Sequence, residues 1–192
     1  MFIFSAVFFG LIAVTALYAI IIYNSLVRLK HNTAKAWSNI DVLLKQRHDE
    51  LPKLIEVCKQ YMHYEQATLE KVIQARNGVS KALDNGNVKA LGLAESSLRQ
   101  GLAGLFAVAE AYPALKANQS FQQLQQRICG LEEAIAGRRT AYNLSANDNN
   151  IRIEQFPDLF VARLFNFEPF DLLEFSSEDK QDIDVKLLFN NN

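Results

Sequence analysis

The chain begins with an unbroken apolar stretch, after which apolar residues recur at steps of three, four and seven. Between Phe2 and Tyr23 there is no charged residue. As a helix rising about 1.5 Å per residue, this stretch would reach about 33 Å, enough to cross a hydrocarbon core of about 30 Å. The pattern therefore predicts a transmembrane anchor over residues 1–23.

The first apolar stripe after the anchor predicts a helix that continues directly from it. The stripe runs from Leu26 to Val72 with the spacing of one helix face. Pro52 predicts a kink rather than a stop, because the stripe keeps its phase beyond the proline. Asn77-Gly78 is a weak point, and Asp84-Asn85-Gly86-Asn87 predicts the turn that ends the helix.

Two further long helices are predicted in the second half of the chain. The first covers Val88 to Tyr112 and is ended by Pro113, because the residue before a proline is pushed out of helical geometry. The second begins at a cap, either Asn118 or Ser120, and its stripe continues to Pro157. Long helices joined by short turns pack antiparallel.

These elements predict an all-α protein: an N-terminal transmembrane helix continuous with an elongated antiparallel bundle of about three long helices. A short C-terminal helix and an irregular tail complete it. The predicted segments are the anchor at 1–23, the bundle at 24–167 and an acidic, phenylalanine-containing tail at 168–192.

Charge around the anchor predicts its orientation. Arg28, Lys30 and Lys35 follow the apolar stretch before the first acidic residue, Asp41, and no charged side chain precedes it. Because basic flanks stay in the cytoplasm, the N-terminus is expected outside and the helical body in the cytoplasm. A cleaved signal peptide is the less favoured interpretation, since a positively charged start and a nearby cleavage site are missing.

The tail combines acidic residues with phenylalanines. Seven acidic residues and two lysines lie between Glu168 and the end of the chain. The phenylalanines concerned are Phe165, Phe167, Phe170 and Phe175. Two interpretations remain open: a solvated terminus, or a segment that docks into a groove on this or another subunit.

Composition excludes several classes of protein. A net charge of −1 offers no basic excess for nucleic acid. Cys58 and Cys129 fall on apolar stripes and are predicted to be buried packing residues, with a disulfide as the weaker interpretation. Neither a Glu-x-x-His metal motif nor a nucleophile or phosphate-loop motif is present in the sequence. We therefore predict no enzyme, metal or cofactor.

Polar residues at or beside stripe positions are the unusual feature of the body. They are Arg47, Glu65, Arg76, Glu110, Arg138 and Arg139. The favoured interpretation is a structural network of buried or half-buried ion pairs that fixes how the helices align. The alternative is a polar binding slot inside the bundle.

Several short segments together resemble the LemA family of bacterial membrane proteins. They include Ala36-Trp37-x-x-Ile40-Asp41-Val42, Arg47-x-Asp49-x-Leu51-Pro52, Leu69-x-x-Val72-x-x-Ala75-Arg76, Leu105-Phe106-Ala107-Val108-Ala109-Glu110-Ala111-Tyr112-Pro113 and Arg138-Arg139-x-x-Tyr142-Asn143. Two places depart from the family pattern: Asn149-Asn150 replaces a Tyr-Asn pair, and Asn166-Phe167 replaces a Gly-Phe pair. The resemblance implies a helical bundle anchored in a bacterial inner membrane, without an established biochemical activity. Some relatives are associated with magnetosome membranes.

These observations favour a non-catalytic scaffold that self-associates at the membrane and organises lipid or membrane proteins. The alternative is an adaptor or regulator that recruits clients to a membrane protease or transporter. The expected partners are membrane lipid, further copies of the chain and another membrane protein.

Overall fold

A computed structural model describes residues 2–174, and all regular secondary structure within that range is helical. The helices are α1 (Phe2–Tyr61), α2 (Gln66–Asp84), α3 (Val88–Ala109), α4 (Pro113–Lys116), α5 (Gln119–Glu154) and α6 (Asp158–Leu164). The all-α prediction is confirmed. Pro52 lies inside α1, which continues past it to Tyr61.

The prediction of one helix from the anchor to Asp84 is wrong, because a turn at 62–65 separates α1 from α2. The Glu65 N–H donates to the Met62 carbonyl at 3.4 Å, and Met62 is buried within this turn. Apolar residues occur in helical phase on both sides of the turn, so periodicity alone did not reveal it. The expected weak point at Asn77-Gly78 lies inside α2, whereas the turn after Asp84 is confirmed.

The end of α3 also differs from the prediction. This helix stops at Ala109, and the N–H groups of residues 110–112 donate to carbonyls three residues back. Pro113 does not end α3 but begins α4. The first N–H groups of a helix have no acceptor within the helix, so a proline at this position loses no hydrogen bond. Of the two cap candidates, Asn118 is the one used: its Oδ1 accepts from the Phe121 N–H at 3.0 Å.

The chain divides into two compact units, which we describe separately. The first unit contains residues 1–42 and 135–172. Its α1 and α5 segments are joined by the Thr33 hydroxyl, 3.0 Å from the Ser145 carbonyl oxygen, and by the rings of Trp37 and Tyr142, whose centroids are 5.2 Å apart. These contacts explain why Thr33, a polar residue, is fully buried.

A left-handed residue closes α6 in the first unit. Asn166 has a φ of 52°, and the next N–H, that of Phe167, donates back to the Ala162 carbonyl at 2.9 Å. Asparagine tolerates this conformation better than most residues other than glycine. Asn166 therefore adopts this conformation at the position where the family pattern described above usually has glycine.

Among the described residues, the second unit contains 43–134 together with 173 and 174. Its core is mainly aliphatic, with Leu51, Leu54, Leu98 and Leu105 buried. Cys58 is buried as predicted, and burial raises the pKa of its thiol to about 12. Cys129 is exposed, so the prediction that it packs in the core is wrong; the preceding residue, Ile128, occupies the buried position. Both thiols are free.

Candidate functional site

The N-terminal segment of α1 has the composition and exposure of a lipid-facing helix. Every residue from Phe2 to Ile21 except Ala19 is exposed, and burial begins at Ile22. The exposed segment, 2–21, is about 30 Å long as a helix, which matches the thickness of a hydrocarbon core. By length and composition, α1 can cross a membrane.

Packing begins where this exposed segment ends. Ile22 and Leu26 of α1 form one apolar core with residues of α5 and α6, namely Ile153, Val161 and Ala162. The ring of Tyr23 lies 4.7 Å from that of Phe165 and 5.9 Å from that of Phe167, measured between centroids. We call Tyr23, Phe165 and Phe167 the aromatic cluster. Two of the predicted tail phenylalanines thus lie against α1 of their own chain.

The beginning of the tail is fixed to α5 by hydrogen bonds from side chain to backbone. The Asn150 amide accepts from the Phe170 N–H and donates to the Phe170 carbonyl, both at 2.8 Å. The Tyr142 hydroxyl donates to the Asp171 carbonyl at 2.8 Å, and burial, followed by the nearby Asp171 charge, raises the pKa of this phenol. Phe170 and Asp171 therefore dock on their own subunit. Phe175 lies outside the described residues.

One of the predicted polar residues, Arg47, forms a buried charge centre in the second unit. Its guanidinium bonds Glu95 of α3 and, at 2.5 Å, Glu132 of α5. Arg47 and Glu95 are 1% and 2% exposed. Burial by itself lowers the pKa of Arg47, but the two carboxylates outweigh it and the pKa is raised. The arginine is therefore held charged at a point where three helices meet.

The sequence interpretation missed both carboxylate partners, although a signal was present. Glu95 lies four residues after Leu91 and three before Leu98, which places it on the buried stripe of α3. Glu132 has the same spacing between Ile128 and Ile135. An acidic residue in phase with a buried stripe is as unusual as an arginine there, and the two kinds together indicate an ion pair.

The other predicted polar residues differ in environment. Arg76 donates from Nε to the His48 carbonyl at 3.1 Å, and its Nη2 lies 2.6 Å from His48 Nε2. Burial, followed by the Arg76 charge, lowers the pKa of His48. Glu65 accepts a hydrogen bond from the Tyr112 hydroxyl at 3.4 Å. Arg47, Arg76 and Glu65 each therefore bond a residue outside the predicted set.

The remaining three members of the set divide between surface and interior. Arg139 is buried in the first unit. Arg138 is exposed, and Glu110 is exposed and paired with Lys116. The prediction that Glu110 and Arg138 take part in buried packing is wrong. Glu110 follows the end of α3, whereas Arg138 lies in the middle of α5, where the neighbouring Arg139 occupies the buried position.

The second unit also carries a groove of about 590 Å³ between α2 and α3. Small and neutral polar side chains line most of it, including Gln74, Gln100 and Gly101, and Lys71 is the one charged residue among its lining. Within residues 2–174, no three His, Cys, Asp or Glu side chains are grouped to hold a metal ion. The groove thus presents a single cation and no acid–base pair.

Comparison with known proteins identifies the family. The model of the LemA family matches residues 36–187. The chain is 28% identical to Protein LemA of Metamycoplasma hominis over 168 residues, covering 87% of this chain and 75% of that protein. It is 25% identical to Magnetosome protein MamQ 2 of Paramagnetospirillum magneticum over 170 residues and 23% identical to Magnetosome protein MamQ of Magnetospirillum gryphiswaldense over 169 residues. Each MamQ alignment covers 76% of this chain and 62% of the relative, so the chain spans about three-fifths of those proteins. This chain belongs to the LemA family.

Proposed function

We propose that this protein is a non-catalytic scaffold, anchored in the membrane by α1, that self-associates and organises membrane lipid or membrane proteins. The observation that carries the proposal is the exposed apolar segment 2–21, which has the length of a bilayer core and continues as the same helix into a polar body. The MamQ relatives are named as magnetosome proteins, which supports an association of this protein with a cellular assembly.

The charged flank of the segment supports an orientation with the body in the cytoplasm of a bacterial cell. Arg28, Lys30 and Lys35 are all exposed, so their charges are available to headgroups and to the machinery that reads basic flanks. Alkaline phosphatase fused to the C-terminus is expected to be inactive, because this enzyme matures only after export. A fluorescent protein that folds in the cytoplasm, fused at the same position, is the matched control. Strong phosphatase activity, together with a non-fluorescent control fusion, would show that the orientation is the opposite of the one proposed.

A face of α5 in the first unit offers a surface for a second copy. Leu144 and Ile151 are 63% and 54% exposed and lie seven residues apart, so they share one side of the helix. Burying each such side chain contributes about 1.5–3 kcal/mol. Anchoring aligns the copies and confines them to a plane, which reduces the entropy that association costs. We infer that this face pairs with its equivalent in a neighbouring subunit.

The double substitution Leu144→Glu/Ile151→Glu in the full chain is expected to convert an oligomer into a monomer in mild detergent. Carboxylates on both sides of a symmetric contact would repel each other and remain poorly hydrated. Light scattering combined with refractive-index and ultraviolet-absorbance detection separates the mass of the protein from that of the bound detergent. Leu93→Glu is the matched control, since Leu93 is 67% exposed on α3, outside the proposed face.

A wild-type protein that is monomeric at every concentration and salt would contradict the scaffold. An oligomer that persists in the double variant would support self-association but contradict the proposed role of this face. Truncation after Glu174, rather than after Phe167, then tests the tail, because it preserves the hydrogen bonds of Asn150 to Phe170. A monomer that retains a stoichiometric membrane protein on purification would favour the adaptor.

A further inference from the structure

The short helix α6 is apolar on its exposed side as well as on its buried side. Val161 and Ala162 are buried, together with Asp158, whose carboxylate pairs with Arg152. On the outside, Phe160 and Leu164 are 65% and 73% exposed, and the neighbouring Phe156 is 74% exposed. The rings of Phe156 and Phe160 are in edge contact, with centroids 5.8 Å apart. We call Phe156, Phe160 and Leu164 the outer face of α6.

The level of α6 along α1 is set by its buried residues. Val161 and Ala162 share a core with Ile22 and Leu26, which are the first buried positions after the exposed segment 2–21. Ile22 and Leu26 are one helical turn apart, about 6 Å along the axis. If the segment 2–21 fills the hydrocarbon core, α6 lies at the boundary between acyl chains and headgroups.

We propose that the outer face of α6 is a second membrane contact, inserted into the boundary layer of the leaflet from which α1 emerges. This inference rests on the proposed anchoring of α1. Lipid covers the outer face of α6, because this face lies at the level where the exposed, apolar surface of α1 ends. A short amphipathic helix with large apolar side chains on its outer side is the type of element that binds in this layer.

Neighbouring groups suit the same layer. The aromatic cluster beside α6 contains Tyr23, and amphipathic aromatic rings concentrate at the membrane–water boundary. Arg163 is exposed on α6 between Phe160 and Leu164 in sequence, so its long side chain can reach phosphate groups while its stem remains among apolar atoms. The contact would restrict the rotation of α1 about its own axis, because it would attach the chain to the membrane at a second point beside the crossing helix.

Depth-dependent quenching of tryptophan tests this proposal in the full chain. In a Trp37→Phe background, single tryptophans replace Phe160, Leu17 and Leu93 in turn. All three positions are exposed in the structure, so each accepts the larger ring. The protein is reconstituted in phosphatidylcholine–phosphatidylglycerol vesicles whose acyl chains carry bromine either near the headgroup or near the chain end. Circular dichroism verifies the helical content of each variant.

Phe160→Trp is expected to be quenched several-fold more by shallow than by deep bromine, and Leu17→Trp by both. Leu93→Trp, the control in the second unit, is expected to be unaffected. Quenching of Leu17→Trp without quenching of Phe160→Trp would overturn the proposal and leave the anchor in place; a blue-shifted but unquenched Phe160→Trp would indicate a protein covering instead. Absence of quenching at both Phe160→Trp and Leu17→Trp would contradict the membrane anchor and the α6 contact together. Leu164→Trp repeats the measurement on the same face.

Discussion

Replacing Arg47 with alanine is expected to lower the free energy of unfolding by about 3–5 kcal/mol. The substitution removes the cation but leaves the Glu95 carboxylate 2% exposed among apolar side chains. Among the described residues, Glu132, 19% exposed, would keep Arg99, whose Nε is 3.7 Å from Glu132 Oε2. A buried charge without its partner is costly because neither water nor another ion replaces the lost interaction.

Urea unfolding of the full chain in mild detergent, followed by circular dichroism, measures this loss. Arg138→Ala is the matched control: the same residue type in an exposed position should change stability by about 0–1 kcal/mol. Arg47→Met/Glu95→Leu should lose much less than Arg47→Ala, because it removes both charges and preserves apolar volume. If Arg47→Ala and Arg138→Ala were equally stable, the buried charge centre would not be contributing to the fold.

Replacing Asn150 with alanine is expected to cost about 1–3 kcal/mol and to release the start of the tail from α5. Asn150 is the side chain that satisfies both the N–H and the carbonyl of Phe170. Without it, the segment must either leave two partly buried backbone groups unpaired or separate from α5 to reach water. Separation would also weaken the bond from the Tyr142 hydroxyl to the Asp171 carbonyl.

Hydrogen exchange followed by mass spectrometry distinguishes this local release from global unfolding. In Asn150→Ala, the amide of Phe170 should exchange faster, while amides in the middle of α3 keep their protection. Asp148→Ala serves as the control, since Asp148 is an exposed residue of the same helix. Unchanged exchange at Phe170 would mean that other contacts hold the tail.

The elements that depend on local pattern could be predicted from the order of the residues alone. The uncharged run from Phe2 to Tyr23 has the length of a bilayer core whatever it packs against, and helical spacing does not depend on a partner. The same helical spacing did not reveal the turn at 62–65, because the apolar stripes before and after this turn are in phase with each other. The position of Arg47 on an apolar stripe likewise indicated an unusual environment but did not identify the partners of this arginine.

Which side chains contact each other depends on how the helices pack, and local pattern does not specify that. Pairing Arg47 with Glu95 and Glu132 requires the rotation and axial offset of three helices, and those depend on the packing of the whole second unit. The tail is a similar case: phenylalanines among acids are compatible with solvent, a neighbour or the parent chain, and two hydrogen bonds from Asn150 select the parent chain for its first residues. Local periodicity specifies which face of a helix is apolar, but the partner of that face is a property of the assembled core.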